Sequence, residues 1–365
     1  MNFNRVVIKV GSALVSPDNN GCSGKYIEAI ARFVTKCHQK NIEVTLVSSG
    51  SVAAGRHLIQ HGSPIPSIQT KQAMAAVGQM KMMANWQRFF DVPCSQLLIT
   101  HGDLKDRPRY INIKNTLRIL LANGIIPIVN ENDTVATEEL KVGDNDNLAA
   151  LVALISEADC LIILSDIDGV YNKDPRTNDD AEMISEISEI TDEIYAMAGT
   201  TNNPIATGGM KTKIQAAEKA VENGIETYIL NGSNSQIFDK LLAGENPGTH
   251  FLASKKVGKA KKHWLKHTLK SHGQLLLDNG AVNAVKNKGA SLLPSGILSI
   301  NGDFLAGESL ELIDANTKAI IAKGICQYNY QDLFKIKGKN SEKIQTILGF
   351  CPSKVIVHRD DMVIL

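Results

Sequence analysis

The chain has 365 residues, 43% hydrophobic and 21% charged, with a formal net charge of +1. That length allows two or three domains with a buried core in each, and the near balance of charge excludes a chain whose bulk field recruits nucleic acid or acidic membrane. Six scattered cysteines with no C-x-x-C pair argue against a zinc centre or a disulfide framework.

The amino terminus, MNFNRVVIKVG, runs straight into a strand-like segment without the apolar core of a signal peptide. The longest apolar run, 148–155, falls far short of the roughly 20 residues that a membrane span needs. Both features predict a reduced, cytoplasmic protein with no membrane segment.

Taken in order, apolar runs alternate with helical patterns up to about residue 250. The runs are VVIKV (6–10), VTLVSSG (44–50), IIPIVNEND (125–133), LIILSDIDG (161–169) and TYILNGS (227–233). Between the first two, Ile27, Ile30, Val34 and Cys37 recur at helical spacing. The alternation predicts an α/β domain, a mostly parallel central sheet sandwiched by helices. Nearly every run ends in small or polar residues, and open α/β sheets bind ligands outside the carboxyl ends of their strands.

Lys9 stands inside the first apolar run, where an unpaired ammonium is costly; it needs an anion or an open edge. Gly11 and Ser12, which follow, let the backbone turn close to a ligand. In VGDNDNLAA (142–150), two carboxylates and two amides precede an apolar helix. A calcium loop is excluded because neither the glycine nor the closing acid is in place. Helix capping by Asp144 or Asn145 accounts for one residue and leaves Asp146 and Asn147 unexplained.

TGGMKTK (207–213) lacks the P-loop spelling, yet Gly208 and Gly209 allow close backbone approach to an oxyanion. The helix that follows, marked by Ile214, Ala217 and Val221, offers its N-terminal N–H groups to an anion. Lys213 falls in its first turn, where a cation opposes the helix dipole, so an anionic partner is the better explanation.

From 252 to 270 the texture changes: seven lysines and two histidines occur with no acid. Beyond it, short β-like runs punctuated by glycine predict a small separate domain of barrel type. The predicted organisation is a domain over 1–252, a basic linker over 253–272, a β-rich domain over 273–352 and a tail over 353–365.

KVGS, VSSGSVAAGR, IVNENDTVAT, KVGDNDNLAA, SDIDGVYNKDPR and ATGGMKTK occur in this order, and the set closely resembles the glutamate 5-kinases of the amino acid kinase superfamily. GASLLPSGI is similar to the PUA domain that many bacterial members carry, and VHRDDM also looks like theirs. The resemblance spans essentially the whole chain. It implies an amino acid kinase fold followed by a PUA domain, and ATP-dependent phosphorylation of the side-chain carboxylate of L-glutamate, the first step of proline synthesis. It implies that Lys9, Gly11, Ser165, Asp166, Thr207, Gly208, Gly209, Met210, Lys211, Thr212 and Lys213 line the ATP site, and that Ser49, Gly50, Asp133 and Asn145 hold glutamate. Ser165 stands where many members have threonine, with the hydroxyl kept. Inhibition by proline and self-assembly into dimers or tetramers are also family properties.

The residues suit that chemistry. A carboxylate with an unperturbed pKa near 4.3 is already a nucleophile at neutral pH, so no general base is needed. The obstacle is anion approaching anion: two unit charges 4 Å apart interact by roughly 4 kcal/mol at an effective dielectric near 20. Lys9 and Lys213 are therefore assigned as a charge clamp on the transferring phosphoryl, Asp146 as the group that holds both, and Mg²⁺ as an ion bridging the nucleotide phosphates. The sequence identifies no metal ligands. The acyl phosphate product is labile, which suggests a glutamyl phosphate reductase as partner. Two rivals remain: an amino acid kinase with another acceptor, and RNA binding by the β-rich domain. The second is disfavoured because residues 273–353 carry eight lysines and no arginine against seven acids, close to neutral.

Overall fold

The computed structural model describes residues 3–18, 20–60, 62, 66–136, 145–198, 209–254 and 271–365. Thr207, Gly208 and most of the basic linker lie outside them. Two compact units emerge, one of Met1–His101 with Leu117–Lys255 and one of Gly102–Thr116 with Lys256–Leu365.

In the first unit, the strands are β1 (Arg5–Val10), β2 (Glu43–Ser48), β3 (Cys94–Ile99), β4 (Ile126–Glu131), β5 (Cys160–Ser165), β6 (Val170–Tyr171), β7 (Met183–Ile184), β8 (Glu186–Ile187), β9 (Glu226–Asn231) and β10 (Thr249–Phe251). Eight of them form one sheet in the order β3-β4-β2-β1-β5-β9-β10-β8, and β6 pairs with β7 apart from it. From β3 across to β9 every pair is parallel; only β10 runs antiparallel to β9. The five predicted runs are the five strands β1, β2, β4, β5 and β9. Their apolar character follows from burial on both faces.

Strand alternation sorts β1 between two layers. Val6, Ile8 and Val10 join Ile30, Phe33 and Val34 of the Ile27–Gln39 helix in one core. Val7 and Lys9 face the other way, toward the Asn145–Ser156 helix, which packs against the Met210–Glu222 helix.

The connections set the position of the site. From β1 the chain passes through the Ile27–Gln39 helix on one face to β2, on one side of β1 in the sheet. From β5 it passes through the Met210–Glu222 helix on the other face to β9, on the opposite side. The winding thus reverses between β1 and β5, the place where open α/β sheets bind ligands, outside the carboxyl ends of the strands.

Helix Ile68–Gln87 starts at Ser67, whose hydroxyl accepts a hydrogen bond from the Thr70 amide at 3.2 Å. It crosses the short Ser51–Gly55 helix at unusually close range. A Cβ on Gly78 would fall 1.8 Å from the Ser51 carbonyl oxygen, and one on Gly55 would fall 2.0 Å from that of Met74. Only glycine fits at both positions.

The second unit holds β11 (Gly273–Leu277), β12 (Ile297–Gly302), β13 (Ser309–Asp314), β14 (Ile320–Cys326) and β15 (Val357–Ile364). They form a separate five-stranded sheet in the order β12-β11-β13-β14-β15, antiparallel except between β11 and β13. Leu275, Leu277, Leu310, Leu312 and Tyr328 lie in its core. The residues after 352, set apart above as a tail, include β15, which pairs antiparallel with β14. Within the same unit Ile111 packs on Ile325 and Val363, and Lys114 forms a buried ion pair with Asp361.

Candidate active site

Lys9 is the last residue but one of β1, in register with Val47 of β2 and Ile163 of β5. Its Nζ lies 2.7 Å from Asp146 Oδ1. Lys213, in the first turn of the Met210–Glu222 helix, lies 3.3 Å from Asp146 Oδ2. The Thr212 hydroxyl is also set 2.8 Å from Oδ2, within donating distance of it. The three charged side chains are 7%, 4% and 0% exposed for Lys9, Lys213 and Asp146. The Asp146 carboxylate thus contacts both lysine amines.

Burial alone would push the Asp146 carboxyl up, but Lys9, Lys213 and Thr212 outweigh it and hold the group at about 2. Burial dominates for Lys213 and lowers its amine below the ordinary lysine value; Lys9 adds to the drop, while Asp146 and Asp166 oppose it. Asp166 follows β5, and its Oδ1 accepts a hydrogen bond from the Ser165 hydroxyl at 3.0 Å.

Gly11 directly follows β1. Its amide donates to the Leu164 carbonyl of β5 at 3.1 Å, and an added Cβ would press on the same oxygen at 3.3 Å and stand 3.8 Å from the Lys9 amine. Gly209 precedes the Met210–Glu222 helix and has no side chain to cap it. Lys211 is exposed and Met210 partly buried.

A second cluster lies on the β2 and β4 side. Asn145 begins the Asn145–Ser156 helix, and its Nδ2 donates to Ser49 Oγ and to Asn130 Oδ1, both at 2.9 Å. Its side chain therefore reaches across the sheet edge, which a helix cap would not require. Asp133 accepts from the Ser51 hydroxyl at 2.8 Å. Burial raises the Asp133 carboxyl, and the Ser51 bond offsets this only in part. Gly50 leads into Ser51 with a φ of 107°, a left-handed conformation, and a Cβ there would meet Val15 Cβ at 3.0 Å.

Sequence reasoning missed Ser51, Asn130 and Gln79, which are bonded to these residues. Asn130, with Glu131, makes the polar end of an otherwise apolar strand, a signal that could have marked it. Asn147, left unexplained above, accepts a hydrogen bond from Lys219 at 3.0 Å and so ties the two helices of the lysine cluster together.

Comparison with known proteins places the chain in a family. The Amino acid kinase family profile matches residues 4–231, and the PUA domain profile matches 273–348. The chain is 50% identical to the Glutamate 5-kinase of Idiomarina loihiensis, over 100% of this chain and 98% of that protein. It is 49% identical to the Glutamate 5-kinase of Salinibacter ruber, with the same coverage of both. The chain belongs to the amino acid kinase family, in its glutamate 5-kinase branch.

As a kinase of this family, the protein carries its two side-chain clusters along one sheet edge, at the carboxyl ends of parallel strands. The lysine cluster joins β1 to the Met210–Glu222 helix, and the amide and hydroxyl cluster joins β2 and β4 to the Asn145–Ser156 helix. Among the described residues, no helix is long and apolar enough to cross a membrane.

Proposed function

We propose that the protein transfers the γ-phosphoryl of ATP to the γ-carboxylate of L-glutamate, giving L-glutamyl 5-phosphate for proline synthesis in the cytoplasm. The observation that carries this reading is the meeting of Lys9 and Lys213 on the single buried carboxylate of Asp146. Two cations aimed at one spot suit a transferring phosphoryl group, and the fixed anion between them limits their mutual repulsion.

In this reading a glutamate γ-carboxylate oxygen bonds to phosphorus as the bond to the ADP oxygen breaks. No proton moves, which agrees with a site built from cations and amides. Lys9 and Lys213 screen the approaching anion and the charge on the equatorial oxygens. The amides at the start of the Met210–Glu222 helix, with Gly209 and Thr207 to Lys213, carry the nucleotide phosphates, and Ser165 and Asp166 complete that side. Ser49, Gly50, Asp133 and Asn145 hold the amino acid, with the Asp133 carboxylate facing its ammonium.

Among the described residues, no three His, Cys, Asp or Glu side chains converge as a metal cage. The residues present fit Mg²⁺ as an ion carried on nucleotide phosphates and water, the usual habit of this cation. Bound there, it would neutralise phosphate charge. Proline as a feedback inhibitor, assembly into dimers or tetramers, and hand-over to a glutamyl phosphate reductase complete the proposal, on the strength of the family alone.

The test is acyl phosphate trapping. Supplied with MgATP and hydroxylamine, the protein should form hydroxamate with glutamate and far less with aspartate or N-acetylglutamate, and proline should suppress the signal. Equal turnover of aspartate, or none of glutamate, overturns the assignment.

A further inference from the structure

The acceptor cluster continues inward as a chain of three amides. Asn145 Nδ2 donates to Asn130 Oδ1 at 2.9 Å, and Asn130 Nδ2 donates to Gln79 Oε1 at 2.9 Å. Asn130 and Gln79 are 1% and 7% exposed. The two ends of this chain are unusual. Asn145 Oδ1 and Gln79 Nε2 are both buried, and neither has a hydrogen-bond partner among the described residues. A buried polar atom left unsatisfied is costly, so a chain with two such ends is a poor device for stability alone.

Resting on the function proposed above, we infer that Gln79 is a positioning residue for the amino acid acceptor, acting through Asn130 to hold the Asn145 amide. The Asn145 amide has two sides that a ligand could use. Its Nδ2 is occupied by Ser49 and Asn130, which leaves the acceptor Oδ1 to face a donor. The α-ammonium of an amino acid is the donor that the substrate brings. By accepting from Asn130 Nδ2, the Gln79 carbonyl favours the amide orientation in which Asn130 Oδ1 faces Asn145. Gln79 itself sits on the Ile68–Gln87 helix, next to Gly78, where the Ser51–Gly55 helix crosses. Its backbone position is therefore fixed by packing, and its side chain transmits that rigidity to the sheet edge.

The experiment is steady-state kinetics of the full chain with glutamate and ATP varied separately. Gln79→Leu should raise the KM for glutamate about tenfold, the loss of roughly one hydrogen bond, while kcat and the KM for ATP stay close to wild type. Gln79→Met takes its place should the leucine variant fail to fold. Gln79→Glu keeps an oxygen to accept from Asn130 and should restore most of the glutamate affinity. A purely structural role predicts a different pattern: a changed melting temperature with both KM values unmoved. An unchanged glutamate KM in the leucine or methionine variant, an equal rise in both KM values, or a glutamate variant as impaired as the leucine one overturns the inference. A wild-type protein that ignores glutamate overturns the proposed function first and this inference with it.

Discussion

Lys9 and Lys213 reach opposite oxygens of the Asp146 carboxylate, at 2.7 and 3.3 Å, from the end of β1 and the start of a helix near the other end of the same unit. Neither amine alone would stay in so dry a place without an anion. On the proposed function, the shared carboxylate would set their separation before any nucleotide arrives, the condition under which electrostatic catalysis avoids reorganisation at the moment of reaction.

Lys213→Met should leave the fold intact and lower kcat by about two orders of magnitude or more, as losses of preorganised charge do. Circular dichroism and glutamate-dependent ATP turnover measure both. Near-normal turnover would remove Lys213 from the mechanism.

Asp146→Asn leaves two buried ammonium groups without their anion and should cost about 3 kcal/mol of stability near neutral pH. The carboxyl sits at about 2 in the fold, against an ordinary 3.8. Its contribution is therefore present above about 4 and lost as the pH falls toward about 2, worth about 2 kcal/mol across that window. Urea denaturation at a series of acid pH values should show this loss in the wild type and a flatter limb in the variant.

The raised Asp133 carboxyl has the opposite sign. Because the folded chain binds this proton more tightly than the unfolded chain, its stability contribution improves as the pH falls through the raised value. On the proposed role, its grip on a substrate ammonium would weaken over the same range. The KM for glutamate should thus rise on mild acidification, at pH values where ordinary carboxylates are still ionised, while thermal stability does not fall on this account. Asp133→Asn should abolish that pH dependence and raise the KM at every pH.

Gly78→Ala tests the helix crossing. The new methyl group would land 1.8 Å from the Ser51 carbonyl oxygen, so the two helices must separate. Overpacking of this kind costs about 1–3 kcal/mol. Ser51 carries the bond to Asp133 and Gln79 adjoins Gly78, so a raised glutamate KM should accompany the lower melting temperature. A variant with wild-type values for both would show that the crossing tolerates separation.

Much of this was legible in the sequence, for reasons that particular residues make plain. β1, β2, β4, β5 and β9 are buried on both faces and read as unbroken apolar runs. β3, with the pattern Cys-Ser-Gln-Leu-Leu-Ile, lies at the edge of the sheet, half exposed, and lacks the continuity that betrays a central strand. Lys9 and Lys213 could be read because charge in an apolar run or against a helix dipole demands an explanation, and Asp146 because helix capping does not account for it. Gln79 could not. It lies in a helix with apolar residues on all sides, so no polar face and no apolar face stood out against which a buried glutamine would look out of place.

The reversal of winding between β1 and β5 divides the sheet edge into two halves with separate supports. The acceptor cluster hangs on β2, β4 and the helix crossing at Gly78; Ser165, Asp166 and the Met210–Glu222 helix hang on β5 and β9. Asp146, next to Asn145 on one helix, adjoins both. On the proposed function, selectivity for one acid over another could accordingly change through substitutions on the first half alone, with the phosphoryl-donating half left unaltered.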